Sequence, residues 1–280
     1  MKEIRLSNDV LIPAIGFGTY RTPDSSEGVA AICEAIKSGY RLIDGAAKYE
    51  NEKMVGTALA ESGVARQALF VTSKVWPTDM GYDATMRAFE RSLTDLGLDY
   101  LDMYLIHWPA SPTHHNDWKE INASTWKALE NLLDLNCVRS IGVSNFKPSH
   151  LEPLLASANI PPMVNQIECN PGMRQQATRE WCAERDIVVE AWSPLGRGRI
   201  FENPLLLSLA RKYGKTVAQI ALRWEVQSDI IPIPKSVNPD RIRQNINIFD
   251  FHISDEDMEA INSLPIFGES GLDPDAVDFG

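Results

Sequence analysis

Short apolar runs alternate along this chain with longer stretches in which apolar residues recur at helical spacing. The runs fall at Ala14–Gly18, Tyr40–Asp44, Leu69–Lys74, Met103–His107, Ser140–Val143, Val164–Ile167, Ile187–Ala191 and Ile230–Ile233, each the length of a buried strand. Between them, Val29–Ile36 stops at Gly39, Met54–Ala60 before Ser62 and Gly63, and Thr85–Leu96 at Gly97, while Thr125–Leu135 is a clear amphipathic stretch. Asp83, Ser124 and Ser149 are expected as N-caps, with Pro148 and Pro153 near the start of the next helix. Ahead of the first strand, Leu6–Ile12 reads as a hairpin turning on Ser7, Asn8 and Asp9, suited to plug the bottom of a barrel. Two helical stretches, roughly Pro204–Tyr213 and Val217–Gln227, precede the last strand where a barrel needs one, so one of them is an accessory helix.

Eight strands alternating with helices, with no Pro/Gly/Ser-rich linker, predict an α/β fold: a single (β/α)8 TIM barrel domain over residues 1–280, with an N-terminal β-hairpin and accessory helices. The competing doubly wound sheet wants a glycine-rich fingerprint after the first strand. Gly16-Phe17-Gly18-Thr19-Tyr20-Arg21 lacks its third glycine.

Composition narrows the partners. The chain has 280 residues, 44% hydrophobic, and a net charge of −11, which argues against a broad nucleic-acid or acidic-membrane surface but leaves room for a local cationic pocket. Cys33, Cys137, Cys169 and Cys182 are scattered without a Cys-x-x-Cys pair, which speaks against a disulfide framework or zinc knuckle and suits a reducing compartment. The start has no apolar signal region and no stretch reaches the length of a membrane span, so a soluble, cytoplasmic protein is expected. No metal-ligand spacing appears.

Three of the apolar runs deliver proton-handling side chains where they end: Asp44 with Tyr49 shortly after it, Lys74, and His107. A parallel barrel gathers strand-end residues at one rim. Each alone would be ordinary: a capping carboxylate, a surface lysine, a packed tyrosine, a satisfied core histidine. Together they suggest a proton donor tuned for neutral pH, with Tyr49 as general acid, Lys74 lowering its pKa, Asp44 keeping Lys74 protonated, and His107 orienting a carbonyl. A glycoside hydrolase using Glu168 and Glu190 is the other enzyme class the residues allow, but it leaves Lys74, Asn145, Lys235 and Ser236 unexplained.

With these blocks in view the chain resembles the aldo-keto reductase superfamily over nearly its whole length. The blocks are Gly16-Phe17-Gly18-Thr19, Ile43-Asp44 through Asn51-Glu52, Thr72-Ser73-Lys74, Leu105 through Pro109, Ile141 through Phe146, Val164-Asn165-Gln166, Ser193 through Gly196, and Ile233 through Ser236. The resemblance implies a (β/α)8 barrel, a nicotinamide cofactor at the carboxyl rim, and Asp44, Tyr49, Lys74 and His107 as the catalytic tetrad. It implies that Ser144, Asn145 and Gln166 hold the nicotinamide carboxamide, that Trp192 stacks on the ring, and that Thr19 and Tyr20 lie beside the ribose and pocket wall. Ser193, Leu195, Gly196 and Arg197 match the loop around the pyrophosphate; Lys235, Ser236, Asn238 and Arg241 match the 2′-phosphate site, and Gln244 and Asn245 the adenine site. NADPH is therefore expected over NADH.

Tyr20, Trp76 and Trp108 are expected to wall a pocket for a small-molecule carbonyl substrate, an aldehyde or ketone such as a keto-sugar acid or α-dicarbonyl, under lids from Ser111–Trp118 and the segment after Leu264. His114 and His115 could meet an acidic substrate, or belong to a mobile polar loop. The short loop after Gly196 and the short tail resemble the prokaryotic branch that includes the 2,5-diketo-D-gluconate reductases, and the resemblance implies a monomer. The alternative within the family is a non-catalytic NADP(H)-binding regulatory barrel. Gly45 stands where most relatives have threonine, which predicts a looser backbone behind Asp44. Glu50 replaces a common glycine and Gln244 the usual glutamate near adenine.

Overall fold

The computed structural model describes residues 2–277; Met1 and residues 278–280, the ends of the span expected to form one domain, lie outside the described residues. An antiparallel hairpin, β1 (Glu3–Arg5) and β2 (Leu11–Pro13), comes first. Eight parallel strands follow: β3 (Gly16–Gly18), β4 (Leu42–Asp44), β5 (Phe70–Val75), β6 (Leu101–Ile106), β7 (Val138–Ser144), β8 (Val164–Glu168), β9 (Val188–Trp192) and β10 (Ile230–Pro232), each paired with its neighbours in chain order. The helices between them are α1 (Ser26–Lys37), α2 (Glu52–Glu61), α3 (Tyr82–Leu96), α4 (Trp118–Asp134), α5 (Pro148–Leu155), α6 (Gln176–Ala183), α7 (Pro204–Tyr213) and α8 (Val217–Gln227), with α9 (Pro239–Ile246) and α10 (Asp255–Asn262) closing the chain. This is the expected (β/α)8 barrel.

Closure depends on sterics at two glycines. Gly18 donates its N–H to the Pro234 carbonyl at 3.1 Å, bringing β3 against the end of β10. A Cβ on Gly18 would lie 2.9 Å from the Ile233 oxygen, and one on Gly16 would meet Leu42 and Ile233 below 3.0 Å. Pro232 and Pro234 have no N–H to return, which stops β10 as a regular strand.

The hairpin sits at the opposite end, where Asn8 donates to the Arg139 carbonyl at 2.9 Å and buries Leu6 and Ile12. Both helices before β10 form; α8 lies against β10 while α7 packs on α8 and is the accessory one. Asn203 and Thr216 cap them, Thr216 in a reciprocal capping box with Gln219.

Three expected caps are corrected. Asp83 falls in the first turn of α3 after Gly81, Ser124 lies mid-way along α4, and Ser149 is inside α5, whose cap is Lys147. Ser124 and Thr125 instead cap a neighbour: their hydroxyls accept the N–H groups of Tyr82 and Gly81 at 3.1 and 2.8 Å. Pro148 takes the first position of α5 as expected, and Pro153 lies inside that helix. α4 starts seven residues before the expected Thr125 because its first turns are polar and carry little apolar period. Asn122 in those turns exchanges two hydrogen bonds with Ala110, anchoring the loop that follows β6. Among the described residues, no helix is long and apolar enough to cross a membrane.

Candidate active site

Strand register decides which polar side chains meet. Gly18, Asp44 and Thr72 are successive partners across β3, β4 and β5, and Ser144, Gln166 and Glu190 are successive partners across β7, β8 and β9. Asp44 ends β4, a 3₁₀ turn at Ala47–Tyr49 returns Tyr49 to the rim, Lys74 projects from β5, and His107 follows β6. All four of the expected residues come together.

Lys74 is fully buried, and its ammonium donates to both Asp44 oxygens at 2.7 and 2.8 Å, to the Gly45 carbonyl at 2.8 Å, and towards Tyr49 Oη at 3.5 Å. Burial alone would make this lysine shed its proton; Asp44, with smaller help from Tyr49 and Glu190, more than offsets burial and holds its pKa above the ordinary value. The His107 ring lies edge-on 5.6 Å from Tyr49 and 5.0 Å from Trp76. Burial, then the Lys74 charge, pushes His107 well below its ordinary pKa, so it is neutral at pH 7. Among the described residues its buried Nδ1 has no partner. An unpaired donor there would cost more than an unpaired acceptor, which places the single ring proton on Nε2, facing the cavity that His107 lines.

The expectation of a phenol tuned to neutral pH is corrected. Burial raises the Tyr49 pKa to about 12; the nearby Lys74 charge opposes that rise without reversing it, and Asp44 adds to it. The phenol therefore stays protonated across the neutral range. The expected looseness at Gly45 is also corrected: its N–H donates to the Thr72 carbonyl at 2.9 Å and its own carbonyl takes a Lys74 proton, so the backbone is held on both sides.

Asp44, Tyr49 and His107 open onto a cavity of about 780 Å³, with Lys74 fully buried behind its lining. Tyr20, Trp76 and Trp108 line it, as expected, together with Leu272 from the C-terminal segment. That segment is tied down by Lys147, which reaches Asp273 and lies 2.6 Å from Asp275, and by His150, whose Nε2 is 2.9 Å from Asp275. His114 and His115, candidates for an acidic substrate, are exposed and do not line the cavity.

Of the expected cofactor contacts, Tyr20, Ser144, Asn145, Gln166, Trp192, Ser193, Leu195, Arg197 and Lys235 line this cavity. Thr19 does not: it is fully buried and its hydroxyl donates to the Asp44 carbonyl at 2.9 Å, bracing β4. Ser144 and Asn145 are largely occupied by the protein itself. Ser144 donates to the Gln166 carbonyl, and Asn145 donates to the His107 carbonyl and Ser144 Oγ while accepting from Trp192 Nε1 at 2.7 Å. That last bond fixes the Trp192 indole beside the cavity. The Gln166 side-chain Nε2 donates inward to Asp44 and Glu190, at 2.8 and 2.9 Å, leaving Oε1 of the same amide for the cavity side.

Beyond Lys235, the expected anion residues continue along the start of α9. Asn238 is its N-cap, accepting the N–H groups of Asp240 and Arg241, and Ser236 Oγ accepts the Asn238 N–H. Gly196, Ser236, Asn238, Arg241, Gln244 and Asn245 lie outside the cavity lining; Asn245 is buried. The paired-carboxylate alternative has no pair: Glu190 is fully buried beneath Asp44, Glu168 accepts from Ser270 at 2.6 Å, and neither lines the cavity. Among the described residues no cluster of His, Cys, Asp and Glu could hold a metal.

Sequence reasoning passed over Arg21 and Lys48, which line the cavity, Glu190 as a partner of Gln166, and Lys147 with Asp273 and Asp275 as the tie on the tail. Lys48 was discoverable, since it directly precedes Tyr49. The others join residues far apart in the chain and leave no periodic signal.

A sequence profile described as the Aldo/keto reductase family matches residues 14–266. The chain is similar to the glyoxal reductase of Bacillus subtilis (strain 168), 46% identical over 276 residues that cover 99% of this chain and 97% of that one. Among solved structures it is similar to the Bombyx mori aldo-keto reductase in complex with NADP, with a TM-score of 0.85 and 39% identity over 93% of this chain and 92% of that one. It is also similar to a Gox0644 mutant in complex with NADPH, with a TM-score of 0.92 and 39% identity over 99% of both chains. A profile match across most of the barrel, and close relatives along its whole length, establish that the chain belongs to the aldo/keto reductase family of oxidoreductases.

Proposed function

We propose that this protein is an NADPH-dependent carbonyl reductase, built as one (β/α)8 domain and working as a cytoplasmic monomer, that converts an aldehyde or ketone to its alcohol with Tyr49 as general acid. The observation that carries the reading is the Lys74 ammonium, clamped by Asp44 and within 3.5 Å of the Tyr49 hydroxyl at the floor of an aromatic-walled cavity.

The residues present fit a nicotinamide dinucleotide. The Gln166 side-chain Oε1, turned outward because Nε2 is held by the Asp44 carboxylate and the Glu190 carboxyl group, can accept from a carboxamide N–H. Trp192, held by Asn145, offers an indole face for the ring. Arg197 and Lys235 supply cations on the cavity wall for phosphates, and neither lies within 4.0 Å of a carboxylate among the described residues. Lys235, Ser236, Asn238 and Arg241 are the proposed 2′-phosphate contacts, with Gln244 and Asn245 towards adenine. When bound, the cofactor supplies the hydride.

The protein's own part is to orient and to move a proton. His107 Nε2–H and the Tyr49 hydroxyl both point a donor at a carbonyl oxygen, polarising it before reaction. As that oxygen becomes an alkoxide, a far stronger base than a phenolate, Tyr49 gives up its proton and the phenolate forms beside Lys74. A pKa of about 12 suits this direction, because the acid is fully loaded at neutral pH. The glyoxal reductase relative and the resemblance to the 2,5-diketo-D-gluconate reductases favour a compact α-dicarbonyl or keto-sugar acid as substrate.

Tyr49→Phe should abolish NADPH oxidation with glyoxal while NADPH still quenches tryptophan fluorescence. Turnover surviving in that variant contradicts the proton-donor role, and absence of turnover in the unaltered protein favours the regulatory barrel instead. Equal kcat/KM with NADPH and NADH would refute the cofactor preference.

A further inference from the structure

We propose that Lys48 makes the outer part of the cavity an anion subsite, so that the enzyme prefers carbonyl compounds carrying a carboxylate a few bonds from the reacting carbon; this rests on the reductase reading above. Lys48 directly precedes Tyr49 on the 3₁₀ turn, is exposed, and lines the cavity. Its Nζ stands 5.3 Å from the centre of the Trp76 ring, and Trp76 in turn packs edge-on against His107 at 5.0 Å. An ammonium and a carbonyl-orienting imidazole thus share one aromatic wall, separated by a single indole. A substrate lying along that wall with its carbonyl at His107 brings its far end to Lys48.

The charge of Lys48 is uncancelled. Among the described residues no carboxylate lies within 4.0 Å of it, in contrast to Lys74 with Asp44. Glu50, two residues on, also lines the cavity but forms no ion pair with it; its backbone turns through the left-handed region at φ 58°. The indole face holds the ammonium against the wall, and among the described residues no comparable contact holds Glu50 there. The chain as a whole carries −11, so an anion is repelled by the average surface and needs a local cation to enter. Arg197 and Lys235 follow β9 and β10 on the wall assigned to the dinucleotide, and Arg21 lies over the Tyr20 ring at 5.3 Å, which leaves Lys48 as the lining cation against Trp76 among the described residues.

The test pairs 4-carboxybenzaldehyde with its methyl ester, which keeps the shape and removes the charge. With NADPH and the full chain, the acid-to-ester ratio of kcat/KM should fall about five-fold in Lys48→Met, as expected for one exposed ion pair, and recover in Lys48→Arg. In the unaltered protein the same ratio should fall as salt is raised. Independently of turnover, terephthalate should quench tryptophan fluorescence with a Kd about five-fold weaker in Lys48→Met. An acid-to-ester ratio unchanged within two-fold, with the ester still reduced, overturns the proposal. If the unaltered protein reduces neither aldehyde, the reductase reading fails, and terephthalate binding alone then decides whether Lys48 forms an anion site.

Discussion

Gln166 Nε2 lies 2.8 Å from Asp44 Oδ1 and 2.9 Å from Glu190 Oε2, so one amide joins the carboxylate that clamps Lys74 to a second, fully buried carboxyl group. Burial, then Asp44, raises the Glu190 pKa from 4.5 to about 8. Its carboxyl is therefore neutral at pH 7, which spares the core a second negative charge.

That arrangement makes stability fall with rising pH. The folded chain binds the Glu190 proton more tightly than the unfolded chain, so the contribution is fully present below about 4.5 and is lost as pH rises through about 8. In Glu190→Gln the group no longer titrates. Thermal unfolding from pH 5 to 9 should show a smaller decline for the variant than for the unaltered protein; parallel curves would mean that Glu190 does not titrate in that window.

Asp44→Asn should be costly in two ways. It leaves the Lys74 ammonium buried without its counter-ion, a loss of about 3–5 kcal/mol in typical buried pairs. It also removes the group that keeps Lys74 charged beside Tyr49, so turnover should drop at least about a hundred-fold. Asp44→Leu with Lys74→Met should recover much of the denaturant midpoint but none of the activity. Equal recovery of both would contradict the proposed division of labour.

Proton inventory at Tyr49 predicts opposite pH profiles for the two directions. Carbonyl reduction needs the protonated phenol and should lose nothing to Tyr49 ionisation between pH 6 and 9, because the pKa lies near 12. Alcohol oxidation needs the phenolate and should rise with pH over the same range. Initial rates in both directions test this; a reduction rate that collapses on a group with a pKa near 7 would assign the proton to something other than Tyr49.

At Gly45 the backbone is not in the glycine-only region, and an added Cβ would meet the Thr72 oxygen at 3.4 Å and Thr19 Oγ1 at 3.7 Å. Gly45→Ala should therefore be accepted, with activity kept and a gain of about 0.4–1 kcal/mol from the stiffer unfolded chain. A shifted urea midpoint measures it, and a strong loss of turnover would show that Asp44 needs glycine behind it.

Gly56 on α2 is the contrasting case. A Cβ there would sit 2.2 Å from the Leu96 carbonyl, where α2 meets α3. Gly56→Ala should destabilise by about 1–3 kcal/mol without altering KM, because α2 must move off α3. An unchanged melting temperature would rule out that contact as a constraint.

The eight strands were readable because each carries a short, mostly apolar run that is largely buried. β7 was clipped only because exposed Arg139 interrupts its run to reach Asp102 at 2.7 Å. Asp44, Lys74 and His107 were readable because, ordinary one by one, they end successive strand runs that a parallel barrel gathers at one rim. Caps were harder: Ser124 looked like the start of its own helix, but its hydroxyl serves α3 across the helix layer. The direction of the Tyr49 pKa was hidden for a similar reason, because sequence reveals a neighbouring ammonium but not how much water the fold removes.

The joint between the first and last staves of the barrel has a softness that its other seams lack. With Pro232 and Pro234 giving nothing back to Gly18, few rungs of the ladder cross that joint. Should the wall part anywhere to admit a long, flexible molecule, it is cheapest there, beside Lys235, while Asp44, Lys74 and Gln166 stay knitted together deeper inside.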